Sequence, residues 1–169
     1  MIAGRVVRLG DDVDTDVMLP GAYLNVTDPE ELGRHLLEGY DPEVASRVAP
    51  GDVVVAGTNL GAGSSREHAV LAMQGRGVQA VVAASFARIF LRNCLNLGLP
   101  AIEHPEAARA LADGERVEID LAGGELRGEH AAWALPPQPD FLTDLLRDGG
   151  LVPWVRRRLQ TTERRPHEE

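Results

Sequence analysis

The chain has 169 residues, a formal net charge of −9, 44% hydrophobic residues and only 4% aromatic residues. This length suits one compact domain, and the acidic charge argues against a nucleic-acid partner because it repels phosphate backbones. The single cysteine, Cys94, excludes an internal disulfide and cannot by itself hold an iron–sulfur cluster.

Capping and turn residues divide the chain into strands and helices. Two positions have the pattern of a helix start: Thr27 or Asp28 precedes Pro29, and Asp41 precedes Pro42. Glycine-rich turns separate the strands. Residues 11–24 are too polar for a strand and are predicted to form a structured loop. The predicted strands are 2–9, 53–56, 78–84, 99–102, 117–121 and 125–127. The predicted helices are 28–38, 42–48, 64–75, 86–97, 105–112, 140–147 and 151–160.

Strands and helices alternate over residues 53–102, which indicates parallel pairing of the strands. The expected fold class is therefore α/β, a small and mostly parallel sheet flanked by helices. One domain is expected over residues 1–160. Residues 161–169 lack apolar side chains and are predicted to be disordered. We find neither a signal-peptide pattern nor an apolar run of about 18 residues, so a cytoplasmic protein is expected.

The segment GTNLGAGSSREH, residues 57–68, carries the strongest functional signal. It follows a buried strand, and ligands of open parallel sheets bind at that carboxyl edge. Its glycines allow a close approach of the backbone to a ligand. Arg66 can bind a carboxylate through two parallel hydrogen bonds. Free N–H groups at a helix start would favour an anion beside Ser64 and Ser65 and would stabilise a serine alkoxide. The pattern predicts a carboxylate site with a serine base.

Two other interpretations of the same segment remain open. Ser64 could cap the following helix, with Glu67 completing a capping box. A phosphate loop is the other possibility, although the Gly-Lys-Ser/Thr ending of such loops is absent. His68 could orient Glu67 or Ser64, or be a half-buried structural histidine.

Three motifs in order resemble the swivelling domain of the aconitase superfamily. They are GDDVDTDVMLP at 10–20, GAGSSREH at 61–68 and SFARIFLRNCLNLGLP at 85–100, and the resemblance covers roughly residues 1–104. Three ordered motifs are far more specific than one. This domain is a separate small subunit in isopropylmalate dehydratases and homoaconitases. Many relatives carry Cys where this chain has Ala62, but that cysteine is not a cluster ligand.

The resemblance implies a hydro-lyase that dehydrates and rehydrates a hydroxy acid and is active only with a large subunit. Ser64 would be the catalytic base, Arg66 would bind a substrate carboxylate, and Ser65 would assist. Thr15 and Asp16 match a Thr-Asp pair that faces the active site, so Asp16 is assigned to the catalytic set. This chain would bind no cofactor and no metal; a 4Fe–4S cluster is expected on the large subunit.

The resemblance also implies that the loop after the Thr-Asp pair contacts the variable group of the substrate. Tyr23, Leu24 and Val26 offer apolar surface there, and Asn25 stands where homoaconitases often have an arginine. An isopropyl group suits this surface better than a third carboxylate. The sequence therefore favours 3-isopropylmalate and leucine biosynthesis. A homoaconitase of lysine biosynthesis or a methylmalate-type dehydratase is the alternative within the class.

Readings from other classes also remain. The chain could be a carboxylate-binding or assembly subunit without catalytic residues. Four aspartates, at positions 11, 12, 14 and 16, resemble a calcium loop, but the required glycine and glutamate are missing. A solvated, turn-forming acidic loop is the favoured interpretation of these aspartates.

Overall fold

A computed structural model describes residues 1–63 and 65–163 of the chain, with side chains through residue 160. The strands are β1 Ile2–Arg8, β2 Val53–Ala56, β3 Ala80–Ala83, β4 Ala101–Glu103, β5 Arg116–Asp120, β6 Glu125–Arg127 and β7 Ala132–Ala134. The helices are α1 Thr15–Met18, α2 Pro29–Arg34, α3 Pro42–Arg47, α4 His68–Arg76, α5 Arg88–Asn96, α6 Pro105–Ala110, α7 Asp140–Asp148 and α8 Leu151–Glu163. A 3-10 turn lies at Gly21–Tyr23.

One seven-stranded sheet, in the order β4-β3-β2-β1-β5-β6-β7, organises the chain. The strands from β4 to β1 run parallel, with Val6 opposite Val53, Val53 opposite Ala80 and Val81 opposite Ala101. The strands β5, β6 and β7 extend this sheet in antiparallel pairing. The prediction of an α/β fold with a mostly parallel sheet is confirmed, and the carboxyl ends of β1, β2 and β3 lie together at one edge.

The central strands are buried on both faces, as their uninterrupted apolar sequences require. Val54 and Val81 pack into a core with α2, α4 and α5. The alternate residues Val53 and Val82 pack into a second core, which contains Ala107 of α6 together with β5 and β6. Within the described residues, no helix is long and apolar enough to cross a membrane.

Close packing of α2 on α4 explains the glycine at position 75. A Cβ atom on Gly75 would stand 1.6 Å from the carbonyl oxygen of Pro29, so this glycine is needed for close approach. The prediction that Gly75 ends the helix was wrong. Instead, α4 continues to Arg76 and Gly77 takes the left-handed C-cap conformation with φ +85°.

Other elements also differ from the prediction. The helix predicted to reach residue 38 ends at Arg34, because Leu37 adopts φ +62° and its N–H donates to the carbonyl of Met18 at 2.6 Å. The strand β7 was not predicted. Helix α8 continues three residues into the predicted tail, and residues 164–169 of that tail lie outside the described residues.

Candidate functional site

Loops that follow β1, β2 and β3 meet at the carboxyl edge of the parallel strands. The N–H of Gly61 donates to the carbonyl of Val13 at 2.8 Å, and the N–H of Thr15 donates to the carbonyl of Ala62 at 2.9 Å. On the other side, the N–H of Leu60 donates to the carbonyl of Ser85 at 3.0 Å. The backbone itself therefore joins the three motif segments. The loop between β2 and α4, residues 57–67, runs between the other two loops, and we call it the middle loop.

The middle loop continues further before α4 than the sequence indicated. Helix α4 begins at His68, with Glu67 as an N-cap residue that makes no side-chain capping bond. The predicted helix start at residues 64–66 was therefore wrong. Before α4, residues 60 and 62 form backbone bridges with both neighbouring loops. The alternative of a capping box depends on Ser64. Ser64 itself lies outside the described residues.

A small recess beside Arg66 collects several of the predicted site residues. Its lining comprises Thr15, Asp16, Leu19, Leu24, Arg66, His68 and Ala69. We call this set the Arg66 recess. It brings together a guanidinium, a carboxylate, an imidazole and apolar side chains, contributed by the loop after β1, the 3-10 turn region and the start of α4.

Asp14 sets the position of Thr15 and Asp16. Its carboxylate accepts hydrogen bonds from the N–H groups of Asp16 at 2.8 Å and Val17 at 2.9 Å, so it caps α1. Thr15 is buried, whereas Asp16 is exposed. The short helix α1 thus directs two successive side chains into the lining of the Arg66 recess, although the sequence indicated only a loop there.

The predicted specificity residues occupy different positions in the turn. Leu24 lines the Arg66 recess, while Asn25 is exposed. Tyr23 stacks on His35, with ring centroids 3.7 Å apart, and its hydroxyl donates to Glu38 at 3.2 Å. That hydrogen bond raises the pKa of Tyr23 above its usual range. Val26 packs against the core that contains Val54 and Val81. Among residues 23–26, Leu24 alone belongs to the described lining of the recess.

The aspartates before α1 hold loops together. Asp11 accepts hydrogen bonds from the N–H of Thr58 at 2.6 Å and from its hydroxyl at 3.0 Å, which lower the pKa of Asp11 below its usual range. Asp12 accepts from the side-chain amide of Asn59 at 2.9 Å. Across the described part of the chain, no group of three or more His, Cys, Asp or Glu residues could hold a metal ion. These contacts support the interpretation as an acidic turn.

Asn93 is a site residue whose role the sequence did not reveal. It is buried in α5, and its side-chain amide donates to the carbonyl of Ser65 at 3.1 Å. This bond joins the middle loop to the helix that follows β3. A buried asparagine on an otherwise apolar helix face was the available signal, but its partner lies 28 positions away.

We expect Asn93→Ala to destabilise the chain by about 1 kcal/mol, because the hydrogen bond to Ser65 is lost. Turnover by the assembled enzyme should fall as well, since Ser65 and Arg66 lose a fixed backbone neighbour. Chemical denaturation and steady-state kinetics measure the two effects. Asn96→Ala is the matched control, because that side chain makes no hydrogen bond within the described residues. Equal effects of the two substitutions would contradict the role of Asn93.

Comparison with known proteins assigns the chain to a family. The family model described as the aconitase C-terminal domain matches residues 13–107, which include the second and third motif segments and residues 13–20 of the first. The 3-isopropylmalate dehydratase small subunit of Moorella thermoacetica is 49% identical over 96% of this chain and 99% of its own length. The chain belongs to the family of 3-isopropylmalate dehydratase small subunits. The resemblance to the aconitase superfamily is confirmed.

Other members of this 3-isopropylmalate dehydratase family also match almost the whole chain. The 3-isopropylmalate dehydratase small subunit 1 of Methanopyrus kandleri is 48% identical over 93% of this chain and 94% of its own. The isopropylmalate/citramalate isomerase small subunit of Methanocaldococcus jannaschii is 42% identical over 96% and 98%. A crystal structure of 3-isopropylmalate dehydratase from the same organism superposes with a TM-score of 0.89, at 42% identity, over 96% of this chain and 97% of that one.

Proposed function

We propose that this chain is the small subunit of a hydro-lyase that interconverts 2-isopropylmalate and 3-isopropylmalate in leucine biosynthesis. One observation carries the proposal. The Arg66 recess places a guanidinium beside the apolar Leu24, on an edge where three family motifs meet. A guanidinium suits a carboxylate, and an apolar neighbour suits an alkyl group. Both groups occur in isopropylmalate.

In this proposal each residue of the site has a distinct task. Arg66 binds one carboxylate of the substrate, and Ser65 assists through its N–H or hydroxyl. Ser64, as an alkoxide, accepts the proton from the substrate carbon. The electron pair of the broken C–H bond forms the alkene as the hydroxyl leaves from the adjacent carbon. Thr15 and Asp16 complete the polar side of the pocket. Rehydration reverses these steps on the neighbouring carbon.

The leaving hydroxyl needs a Lewis acid, and the single thiol of this chain is not suited to bind an iron–sulfur cluster. Cys94 is the chain's single thiol, and burial raises its pKa to about 12, whereas cluster ligands are thiolates. We therefore place the four-iron cluster on a large partner subunit, where it would supply that Lewis acid. The small-subunit names of the relatives support a two-subunit enzyme. A lone small subunit should be inactive.

The substrate preference rests on the absence of a cationic side chain from the turn at residues 21–26. Leu24 lines the recess and the neighbouring Asn25 is uncharged, so a third carboxylate would lose its hydration without gaining an ion pair. An isopropyl group would instead bury apolar surface against Leu24. Citramalate carries only a methyl group in that position, and it is the acid named for the M. jannaschii relative beside isopropylmalate.

The decisive experiment combines the purified chain with its cluster-loaded large subunit. Alkene formation is followed by ultraviolet absorbance, with isopropylmalate, citramalate and homoisocitrate assayed in parallel. We expect kcat/KM for isopropylmalate to exceed that for homoisocitrate by more than about tenfold, the discrimination typical of a mismatched pocket. The small subunit assayed alone is the control. A preference for homoisocitrate would assign the chain to the homoaconitases, and activity of the large subunit alone would make this chain an assembly subunit.

A further inference from the structure

His68 has a buried nitrogen without a partner. Its Nδ1 atom is inaccessible to solvent and makes no hydrogen bond within the described residues. The residue is the first of α4 and lines the Arg66 recess. We propose that His68 is a second carboxylate-binding residue, whose Nδ1–H donates to an oxygen of the same substrate carboxylate that Arg66 binds. This inference rests on the proposed function and names a further ligand of its substrate.

A polar atom in this state is costly to the free protein. Burying a hydrogen-bonding group without a partner costs about 1 to 3 kcal/mol, and such groups in native proteins call for an explanation. A structural histidine normally satisfies its buried nitrogen, as His104 does when its Nδ1 accepts from the N–H of Ala107 at 3.2 Å. His68 differs from that pattern at the one place where a ligand is expected.

The dimensions of the recess suit a single oxygen atom. Its volume is about 10 Å³, near the space that one water molecule requires. Asp16 is the acid in the lining, yet it does not pair with Nδ1. A carboxylate has two oxygens and can accept from both a guanidinium and an imidazole. In this proposal one carboxylate oxygen enters the recess, contacts Arg66 and accepts from Nδ1 of His68.

Two substitutions at this position separate ligand binding from structure. His68→Asn keeps an amide that can donate near the position of Nδ1. His68→Leu fills a similar space without a polar atom. We expect His68→Leu to raise KM by about tenfold to a hundredfold, the range for a lost hydrogen bond to a charged group. Its kcat should change less, because the carboxylate is bound in both the ground state and the transition state. His68→Asn should restore most of the affinity.

The stability of the His68→Leu variant is a second measurement, and we expect it not to fall although substrate binding weakens. Because His68→Leu removes the unpaired nitrogen, the isolated small subunit should be as stable as the wild type, or more stable, in thermal unfolding. Weaker substrate binding without loss of stability is a combination that a purely structural histidine would not produce. His130→Leu, at an exposed histidine outside the recess, is the control for the change of residue type and should alter neither KM nor stability.

The experiment uses the assembled two-subunit enzyme and scores each variant on whichever of the three acids the wild type turns over. Unchanged KM in His68→Leu overturns the role of His68 and leaves the proposed function standing. A loss of stability in both His68→Leu and His68→Asn would also overturn the role of His68 and would leave the proposed function standing. If the wild type prefers homoisocitrate, the proposed substrate is wrong, but a raised KM for that acid still supports His68. Absence of turnover of all three acids would overturn both proposals.

Discussion

Ser64→Ala should lower kcat of the assembled enzyme by about a hundredfold to ten-thousandfold, the usual contribution of a general base. The expected change in KM is small, because Arg66 would still bind the carboxylate and because the lost group acts on the carbon-bound proton in the transition state. Alkene formation from isopropylmalate measures the effect. Exchange of the carbon-bound proton with deuterated water measures proton removal separately and should be lost in parallel.

The control for this prediction must show that the subunits still assemble. Ser46→Ala, at an exposed serine of α3 whose hydroxyl donates to the carbonyl of Glu43 at 2.8 Å, should leave kcat unchanged. Size-exclusion chromatography of the Ser64→Ala complex should match the wild type. If this variant assembles and keeps full activity, the serine-base mechanism is wrong, and the chain is a carboxylate-binding or assembly subunit.

The features that could be predicted depend on short stretches of sequence. Asp28 and Asp41, each followed by proline, identified the starts of two helices, because capping is a local interaction. Val53–Ala56 is a run of apolar, mostly β-branched residues, which is typical of a buried strand. The alternation of strands and helices then placed the three motif loops at one edge of the sheet, since parallel strands share their carboxyl ends.

What the sequence did not reveal depends on contacts between distant segments. The sequence predicted neither the start of α4 at His68 nor the backbone pairing of the middle loop with residues 13–15 and 85–87, which joins distant segments. In the sequence Gly75 is typical of a helix end. In the structure this glycine allows the carbonyl of Pro29 to approach α4 closely. The partnership of Asn93 with Ser65 and the unpaired nitrogen of His68 also require the folded chain. The missed features therefore concentrate around the middle loop.

Gly61→Ala should be the most destabilising single substitution that we predict in the middle loop. Gly61 has φ +84°, a conformation that costs an L-residue about 1 to 2 kcal/mol. A Cβ atom there would also stand 2.1 Å from Cγ of Phe90, which is almost fully buried. Relief requires the ring or the loop to move, and such overpacking costs about 1 to 3 kcal/mol. We expect a total of about 2 to 5 kcal/mol in denaturant-induced unfolding.

Gly114→Ala separates the two contributions. Gly114 has φ +85°, yet a Cβ atom there meets nothing within 4 Å, so this variant should lose only the backbone term. In a Phe90→Ala background, Gly61→Ala should cost less than in the wild type, because the ring atoms are gone, but more than Gly114→Ala, because Cβ of residue 90 still stands 2.4 Å from the added Cβ. The double-mutant cycle therefore isolates the contribution of the Phe90 ring to the contact between the middle loop and α5. Equal destabilisation by Gly61→Ala and Gly114→Ala in the wild-type background would mean that Phe90 does not hold the loop in place. In that case the loop could shift away from the ring without cost, and Arg66 would not be held at a fixed distance from α5.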